Sequence, residues 1–197
     1  MAPPQSYFDK DTTRFSRFVN LTDPFRVWHD DFSYFGANVY SYLMAKYGEW
    51  IDLVSIQLYE SYSRAAMAIA TNDDISAIDY IQWYIESAED DRVLRFLVDF
   101  STDEEIELST QYVYLPISKL VIGLANGWAD SSSAENQDKT LFISPSQIQT
   151  VWTSLEEKSL LPRGLMFWTL EEEGTRGHYF ARDLSRIILP KDDATEL

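Results

Sequence analysis

Three short apolar segments, each ending in polar or aromatic residues, constrain the fold of this chain more than any other feature. They lie at residues 51–60, 119–128 and 164–171. An apolar run without alternation is typical of a strand that is covered on both faces, as in a parallel sheet. Polar and aromatic residues at the C-terminal ends of parallel strands are where barrel enzymes hold their active sites. The pattern therefore predicts a parallel α/β fold with a binding site at the strand ends.

Helical patterns separate these segments. Apolar periodicity predicts helices over residues 36–47, from Asp74 onward, and over residues 179–188. Ser144-Pro-Ser-Gln147 is a capping box with proline at the first helical position. One face of the helix that follows carries four apolar residues: Ile148, Val151, Trp152 and Leu155. Strand and helix thus alternate, as they do in a parallel sheet.

The three segments, together with residues 1–9, which begin Met1-Ala-Pro-Pro4 and end at Asp9, resemble the second half of the family-18 glycoside hydrolases, the chitinases and their relatives. The resemblance lies in the order of the segments and in their residue patterns. The resemblance extends to about Leu189. It implies a TIM (β/α)₈ barrel of which only strands five to eight and their helices are present, in one unit over residues 1–190. The 197 residues fit part of a barrel, because a complete one takes about 250. Residues 191–197 are expected to form a flexible acidic tail.

A hairpin interrupts this alternation at about residues 92–116. Leu94 to Phe100 and Ile106 to Tyr114 are predicted to be strands, with Asp103-Glu-Glu105 between them. A parallel barrel does not need this hairpin, so we interpret it as an insertion between the sixth and seventh strands. The alternative is an antiparallel sheet that belongs to a different α+β fold.

The resemblance assigns the central role to Tyr59. Gln57-Leu-Tyr59 matches a Gln-x-Tyr motif of the plant and fungal branch of the family. There the tyrosine hydroxyl holds the 2-acetamido group of the substrate while its carbonyl attacks the anomeric carbon and closes to an oxazolinium ion. A hydroxyl donor aimed at developing charge stabilises it electrostatically. Tyr59 is therefore the expected catalytic residue.

The resemblance also implies substrate-binding residues: Gln57, Glu60, Trp168, Asn126, Trp128 and Met1. Trp168 matches the tryptophan that forms the floor beneath the distorted sugar, and the alternative is a buried tryptophan within a strand. Glu60 stands where the family more often has Asn or Asp.

The acid of the family is the last residue of an Asp-x-x-Asp-x-Asp-x-Glu motif on the fourth strand, and this motif does not occur here. The acidic residues 99–105 are out of register with it, and we interpret them as a solvated turn. The glutamates at 171–173 are interpreted as an acidic loop. The catalytic acid is thus expected to be absent from this chain.

Charge and composition restrict the partners. A net charge of −16 excludes a general attraction to nucleic acid phosphates or to anionic membranes. With no cysteine, and with His29 and His178 far apart, the sequence predicts no metal site, and no cofactor is expected. No membrane span or signal peptide is visible, and the compartment stays open, although a chitinase-like parent would be secreted.

The function expected from the resemblance is hydrolysis of β-1,4-linked N-acetylglucosamine polymers by a substrate-assisted retaining mechanism. The chain alone is expected to be inactive. Its expected partners are chitin or N-acetylglucosamine oligosaccharides and either a matching N-terminal barrel half or further copies of itself. Two alternatives remain: a non-catalytic chitin- or glycan-binding protein, and an unrelated acidic α/β interaction domain.

Overall fold

A three-stranded parallel sheet and a separate two-stranded antiparallel sheet organise the fold. The computed structural model describes residues 1–17, 38–60, 63–72, 74–88, 91–129 and 142–189. Within them lie five strands: β1 (Val54–Gln57), β2 (Val93–Val98), β3 (Gln111–Pro116), β4 (Leu120–Ala125) and β5 (Gly164–Trp168). β1, β4 and β5 form the parallel sheet in that order. The predicted parallel α/β arrangement of the three apolar segments is confirmed.

An extended N-terminal segment lies beside β1. The Met1 carbonyl accepts a hydrogen bond from the Ser55 amide (2.8 Å), and the Pro3 carbonyl accepts one from the Gln57 amide (3.0 Å). Pro4 forms a parallel bridge with Gln57. The order in space is therefore N-terminal segment, β1, β4, β5, which is also the order in the sequence.

The described residues contain five α-helices: α1 (Val39–Tyr47), α2 (Arg64–Thr71), α3 (Ala77–Glu86), α4 (Pro145–Glu157) and α5 (Phe180–Ile188). The capping box that begins α4 forms as predicted, between Ser144 and Gln147. The second predicted helix begins at Ala77 instead of Asp74, because Ser76 is its N-cap and forms a capping box with Asp79. Within the described residues no helix is long and apolar enough to cross a membrane.

The predicted hairpin exists, but its second strand starts five residues later than expected. β2 and β3 pair antiparallel from Val93↔Pro116 to Val98↔Gln111. The segment between the two strands is held by local hydrogen bonds to Asp99. Its carboxylate accepts hydrogen bonds from Ser101 and Thr110. Asp103 is bound by the Arg17 guanidinium. These polar contacts hold a long loop where alternating apolar residues had predicted a strand.

The two faces of the parallel sheet differ in burial. Val54 and Ile56 of β1 are fully buried, in one core with residues of α3, α4 and α5. Ser55 and Gln57, on the opposite face, are half-buried, and so are most residues of β5. Only β4, in the centre, is buried along nearly its whole length. The expectation that the strands are covered on both faces therefore holds for β4 and is wrong for β1 and β5, which lie nearer the sheet edges.

The predicted tail at 191–197 and the start of the first predicted helix at Gly36 lie outside the described residues.

Candidate functional site

The half-covered face of the parallel sheet brings the predicted site residues together at its C-terminal edge. The register pairs Gln57 with Gly123, and Gly123 with Met166. Two residues further on, Ala125 pairs with Trp168. Since paired residues in neighbouring strands point to the same face, Met166 and Trp168 share the face of Gln57.

Tyr59 continues this face beyond the end of β1. The Leu58 amide donates to the Gly123 carbonyl (3.3 Å), so the ladder continues past Gln57 and Tyr59 comes level with Ala125. The Tyr59 ring packs in a small cluster with Ala125 and Ala129, and Trp128 lies against that cluster. Tyr59, Ala125 and Trp168 therefore form a row across the ends of three adjacent strands, with the smallest side chain in the middle.

Gln57 orients the Tyr59 hydroxyl. The Tyr59 Oη donates to Gln57 Oε1 (3.1 Å), and Gln57 Nε2 donates to the Ala2 carbonyl (2.9 Å). The side chain of Gln57 thus connects Tyr59 to the N-terminal segment. Burial, followed by the nearby charge of Glu60, raises the pKa of Tyr59 to about 12. The hydroxyl is therefore protonated at neutral pH and can donate a hydrogen bond.

Glu60 follows Tyr59 at the same edge and is half-buried. Burial raises the pKa of its carboxyl group above the ordinary value. Raised pKa values are typical of carboxyl groups that act as acids, although burial alone also produces them. Glu60 therefore holds its proton more tightly than an exposed glutamate does, and it follows Tyr59 directly in the sequence.

Asn126 and Trp128 hold the end of β5 in place. Asn126 Nδ2 donates to the Thr169 carbonyl (2.6 Å), and Trp128 Nε1 donates to the Trp168 carbonyl (2.6 Å). The Trp168 carbonyl also accepts from the Asn126 amide (3.2 Å). The N–H groups of both side chains are thus used to position the backbone around Trp168.

The remaining group of Asn126 is unsatisfied. Asn126 is fully buried, and its Oδ1 has no hydrogen-bond partner among the described residues. A buried acceptor without a donor needs a water molecule or a ligand to satisfy it. Asn126 directly follows Ala125, the last residue of β4 and the central member of the row.

The other predicted residues take different places. Trp168 is 57% exposed, so its ring is available for stacking instead of filling the core. Met1 lies at the opposite end of β1, where its amino group donates to the Leu53 carbonyl (2.8 Å) and its carbonyl accepts from Ser55. The structure thus brings Gln57, Tyr59 and Trp168 together at one edge of the sheet. Asn126 and Trp128 lie at the same edge, and Met1 lies apart from them.

The acidic loop after β5 serves local structure. The Glu172 carboxylate accepts from the Thr175 hydroxyl (2.9 Å), and Glu173 accepts from the Ala181 amide (2.8 Å) near the start of α5. Throughout the described ranges, no group of three or more His, Asp or Glu side chains is placed to hold a metal ion.

Sequence reasoning missed Met166, Ala125 and Gly123, which share the face of the site. A Cβ on Gly123 would lie 2.9 Å from the Ile56 carbonyl and 3.1 Å from Met166 Cε, so Met166 occupies the space above this glycine. Counting in steps of two from Trp168 and from Gln57 along the strands would have identified all three.

Fold and site together define a mixed α/β protein with a candidate binding site at the C-terminal edge of a parallel sheet, the edge at which ligands bind in most proteins with such sheets. No protein-family model, curated protein or solved structure matches the chain. The resemblance to the family-18 glycoside hydrolases therefore depends on the residues themselves.

Proposed function

We propose that this chain is the sugar-binding half of a chitinase-like (β/α)₈ barrel and binds N-acetylglucosamine oligosaccharides at the C-terminal edge of its parallel sheet. The observation that carries the proposal is the row of Tyr59, Ala125 and Trp168, with Gln57 bonded to the Tyr59 hydroxyl. It combines an oriented hydroxyl donor with an exposed aromatic ring. These are the two groups that an acetamido sugar requires, because its amide accepts a hydrogen bond and its ring stacks on a flat apolar surface.

The strand order supports the barrel. The N-terminal segment, β1, β4 and β5 follow one another in space as they do in sequence, all parallel. A doubly wound sheet reverses its order at a switch point, whereas a barrel adds each strand beside the previous one. In this proposal the four are strands five to eight, and the β2–β3 hairpin is an insertion between the sixth and the seventh.

The chemistry follows from the protonation state of Tyr59. Its hydroxyl leaves Gln57 Oε1 and donates to the acetamido carbonyl, which holds the carbonyl oxygen in position to attack the anomeric carbon. With a pKa of about 12 the hydroxyl keeps its proton at neutral pH. Trp168 supports the sugar ring, and Asn126 and Trp128 hold Trp168 in position through its backbone.

Hydrolysis additionally needs a proton donor for the leaving oxygen. In this proposal the acid belongs to the other half of the barrel, so the chain alone does not turn over substrate. General acid catalysis is typically worth about 10²–10⁴ in rate. The absence of the acid motif from this sequence equally favours a second candidate function, glycan binding without catalysis.

Binding is tested by titrating chitotetraose against the isolated chain in a calorimeter, with cellotetraose as the control that lacks the acetamido groups. We expect binding of chitotetraose only. Trp168→Ala should weaken it, whereas Trp50→Ala should not, although Trp50 is even more exposed. Absence of binding, or equal binding of both sugars, contradicts the proposal and favours an α/β interaction domain.

Catalysis is tested with a chromogenic chitobioside. We expect no turnover by the pure chain. Turnover that disappears in Glu60→Gln would make Glu60 the acid and contradict the assignment of the acid to another segment. In an assembled barrel, Tyr59→Phe should lower turnover far more than affinity, because the hydroxyl orients the acetamido carbonyl for attack.

The proposed partner is a polypeptide that carries strands one to four. Apolar side chains are exposed in two further places: Leu43, Tyr47 and Trp50 on and after α1, and Leu170 after β5. Unpaired strand edges and exposed apolar patches mark sites of association. Co-expression with a matching N-terminal half should yield a soluble heterodimer that hydrolyses chitin oligomers, and failure to co-purify would contradict this part of the proposal.

A further inference from the structure

A cavity of about 460 Å³ lies between the N-terminal loop and helices α2 and α3. Its walls are mostly apolar: Ala68, Ile75, Tyr80 and Trp83. Three charged residues complete the lining: Asp11, Arg64 and Asp79. None of the seven belongs to the cluster at the strand ends, so the cavity is a separate site. Its volume falls within the range of about 300–1,000 Å³ that small-molecule sites occupy.

Two of the three charges at this cavity are paired with opposite charges within the protein. Arg64 Nε binds the buried carboxylate of Asp9 (2.5 Å). Lys10 Nζ binds Asp11 (2.8 Å) and lies 3.8 Å from the centre of the Trp83 ring.

Asp79 accepts hydrogen bonds from the amide and the hydroxyl of Ser76 in the capping box of α3, and these neutral donors leave its charge in place. An anionic ligand would therefore meet this carboxylate in a mostly apolar space without an uncommitted cation, which costs free energy. A cation would gain little from Asp79, because this side chain is exposed and water screens its charge.

The Tyr80 hydroxyl is a polar group of the cavity lining that can still donate a hydrogen bond. Tyr80 Oη accepts a hydrogen bond from Gln5 Nε2 (2.6 Å), and no acceptor for the Tyr80 hydroxyl proton is found in the described part of the chain. Burial raises the pKa of Tyr80, so the proton is retained. The hydroxyl can donate to a single acceptor on a ligand, while the rings of Tyr80 and Trp83 offer flat apolar surface.

We propose that this cavity binds an uncharged, flat, largely apolar molecule that carries one hydrogen-bond acceptor. The apolar walls select against sugars and other highly polar molecules, and they make the desolvation of an ion of either sign costly. The inference is independent of the function proposed for the strand ends.

The test uses three probes that share one ring system and differ in charge: 2-naphthylmethanol, 2-naphthylmethylammonium and 2-naphthoate. Each is titrated against the full chain by ligand-observed NMR. We expect the uncharged alcohol to bind at least about tenfold more tightly than either ion. An ion that binds as tightly as the alcohol, or no binding by any probe, overturns the proposal.

Location is tested by filling the cavity. Ala68→Leu places additional atoms in it, and Ala181→Leu makes the same change at an exposed position of α5. We expect Ala68→Leu to abolish binding of the alcohol and Ala181→Leu to leave it unchanged. Ile75→Phe is a second filling variant, chosen because Ile75 precedes α3 and its replacement leaves both helices intact. Circular dichroism identifies the variants that remain folded, and undiminished binding in a folded filling variant overturns the proposal.

Discussion

Gly127 couples the end of β4 to the loop after β5, and its replacement by alanine tests how the site is held. A Cβ at this position would lie 2.1 Å from the Thr175 carbonyl oxygen. Real Cβ contacts essentially never fall below 3.0 Å, so the two segments would have to separate by about 0.9 Å to reach even that limit. The obstacle is backbone, which no side-chain rotation relieves.

The expected loss follows from the hydrogen bonds between the same two segments. Asn126 donates twice, to the Trp168 and Thr169 carbonyls, and Trp128 donates once to Trp168. A hydrogen bond contributes about 1 kcal/mol to stability. Loss of two or three of them predicts that Gly127→Ala lowers the free energy of unfolding by about 2–3 kcal/mol. For a chain of this size that corresponds to a fall in melting temperature of about 4–12 °C.

The assay is urea and thermal unfolding, with Gly164→Ala as the matched control. A Cβ on Gly164 meets no atom within 4 Å. Alanine there restricts the unfolded chain, so we expect a change of at most about 1 kcal/mol in the stabilising direction. The reasoning is refuted if Gly127→Ala unfolds within about 0.5 kcal/mol of the parent, or if the two variants lose equal stability.

Three further predictions concern charge, capping and association. Burial raises the pKa of Glu60, so its ionised form destabilises the fold at neutral pH. In urea unfolding, Glu60→Gln should therefore stabilise the chain at pH 7 but not at pH 3.5, where the carboxyl is protonated in both states, and an equal effect at the two pH values would contradict this. Ser144→Ala removes the N-cap of α4 and should lower the free energy of unfolding by about 1 kcal/mol in the same assay. An unchanged free energy of unfolding would argue against a stabilising capping box. The charge of −16 opposes self-association at low salt, so sedimentation should detect larger species at high salt. The Trp50→Asp variant should form fewer of these larger species, because Trp50 is an exposed apolar side chain. A chain that stays monomeric and unfolds cooperatively at high salt would indicate a self-contained α/β domain.

Local signals in the sequence were sufficient where the physical cause was local. The helix α4 was predicted with its cap, its proline and its buried face, because all of these follow from residues within four positions of one another. The start of α3 was misplaced because the acidic residue at position 74 was preferred to Ser76, whose hydroxyl accepts from the Asp79 amide. The second strand of the hairpin was placed too early because Ile106 and Leu108 anchor a loop while retaining a strand-like pattern.

The candidate site was predictable as a set of residues but not as an arrangement. The motif around Tyr59 and the residue Trp168 were identified from their residue pattern and from their position at the ends of apolar segments. Their common row depends on the register of β1, β4 and β5, which brings together residues more than a hundred positions apart. The roles of Asn126 and Trp128 as supports also required knowing which carbonyl lies within reach of each N–H group.

The sequence by itself determined the elements whose hydrogen bonds and apolar faces involve residues only a few positions apart, namely the capped helices and the apolar strands. Only the tertiary structure decided which face of the sheet is covered, which side chains share the strand ends, and that the N-terminal loop closes an apolar cavity against α2 and α3. The physical reason is range. Propensity and capping act between neighbours in the chain, whereas register, burial and charge pairing depend on where distant segments meet, and no pattern within one segment records that.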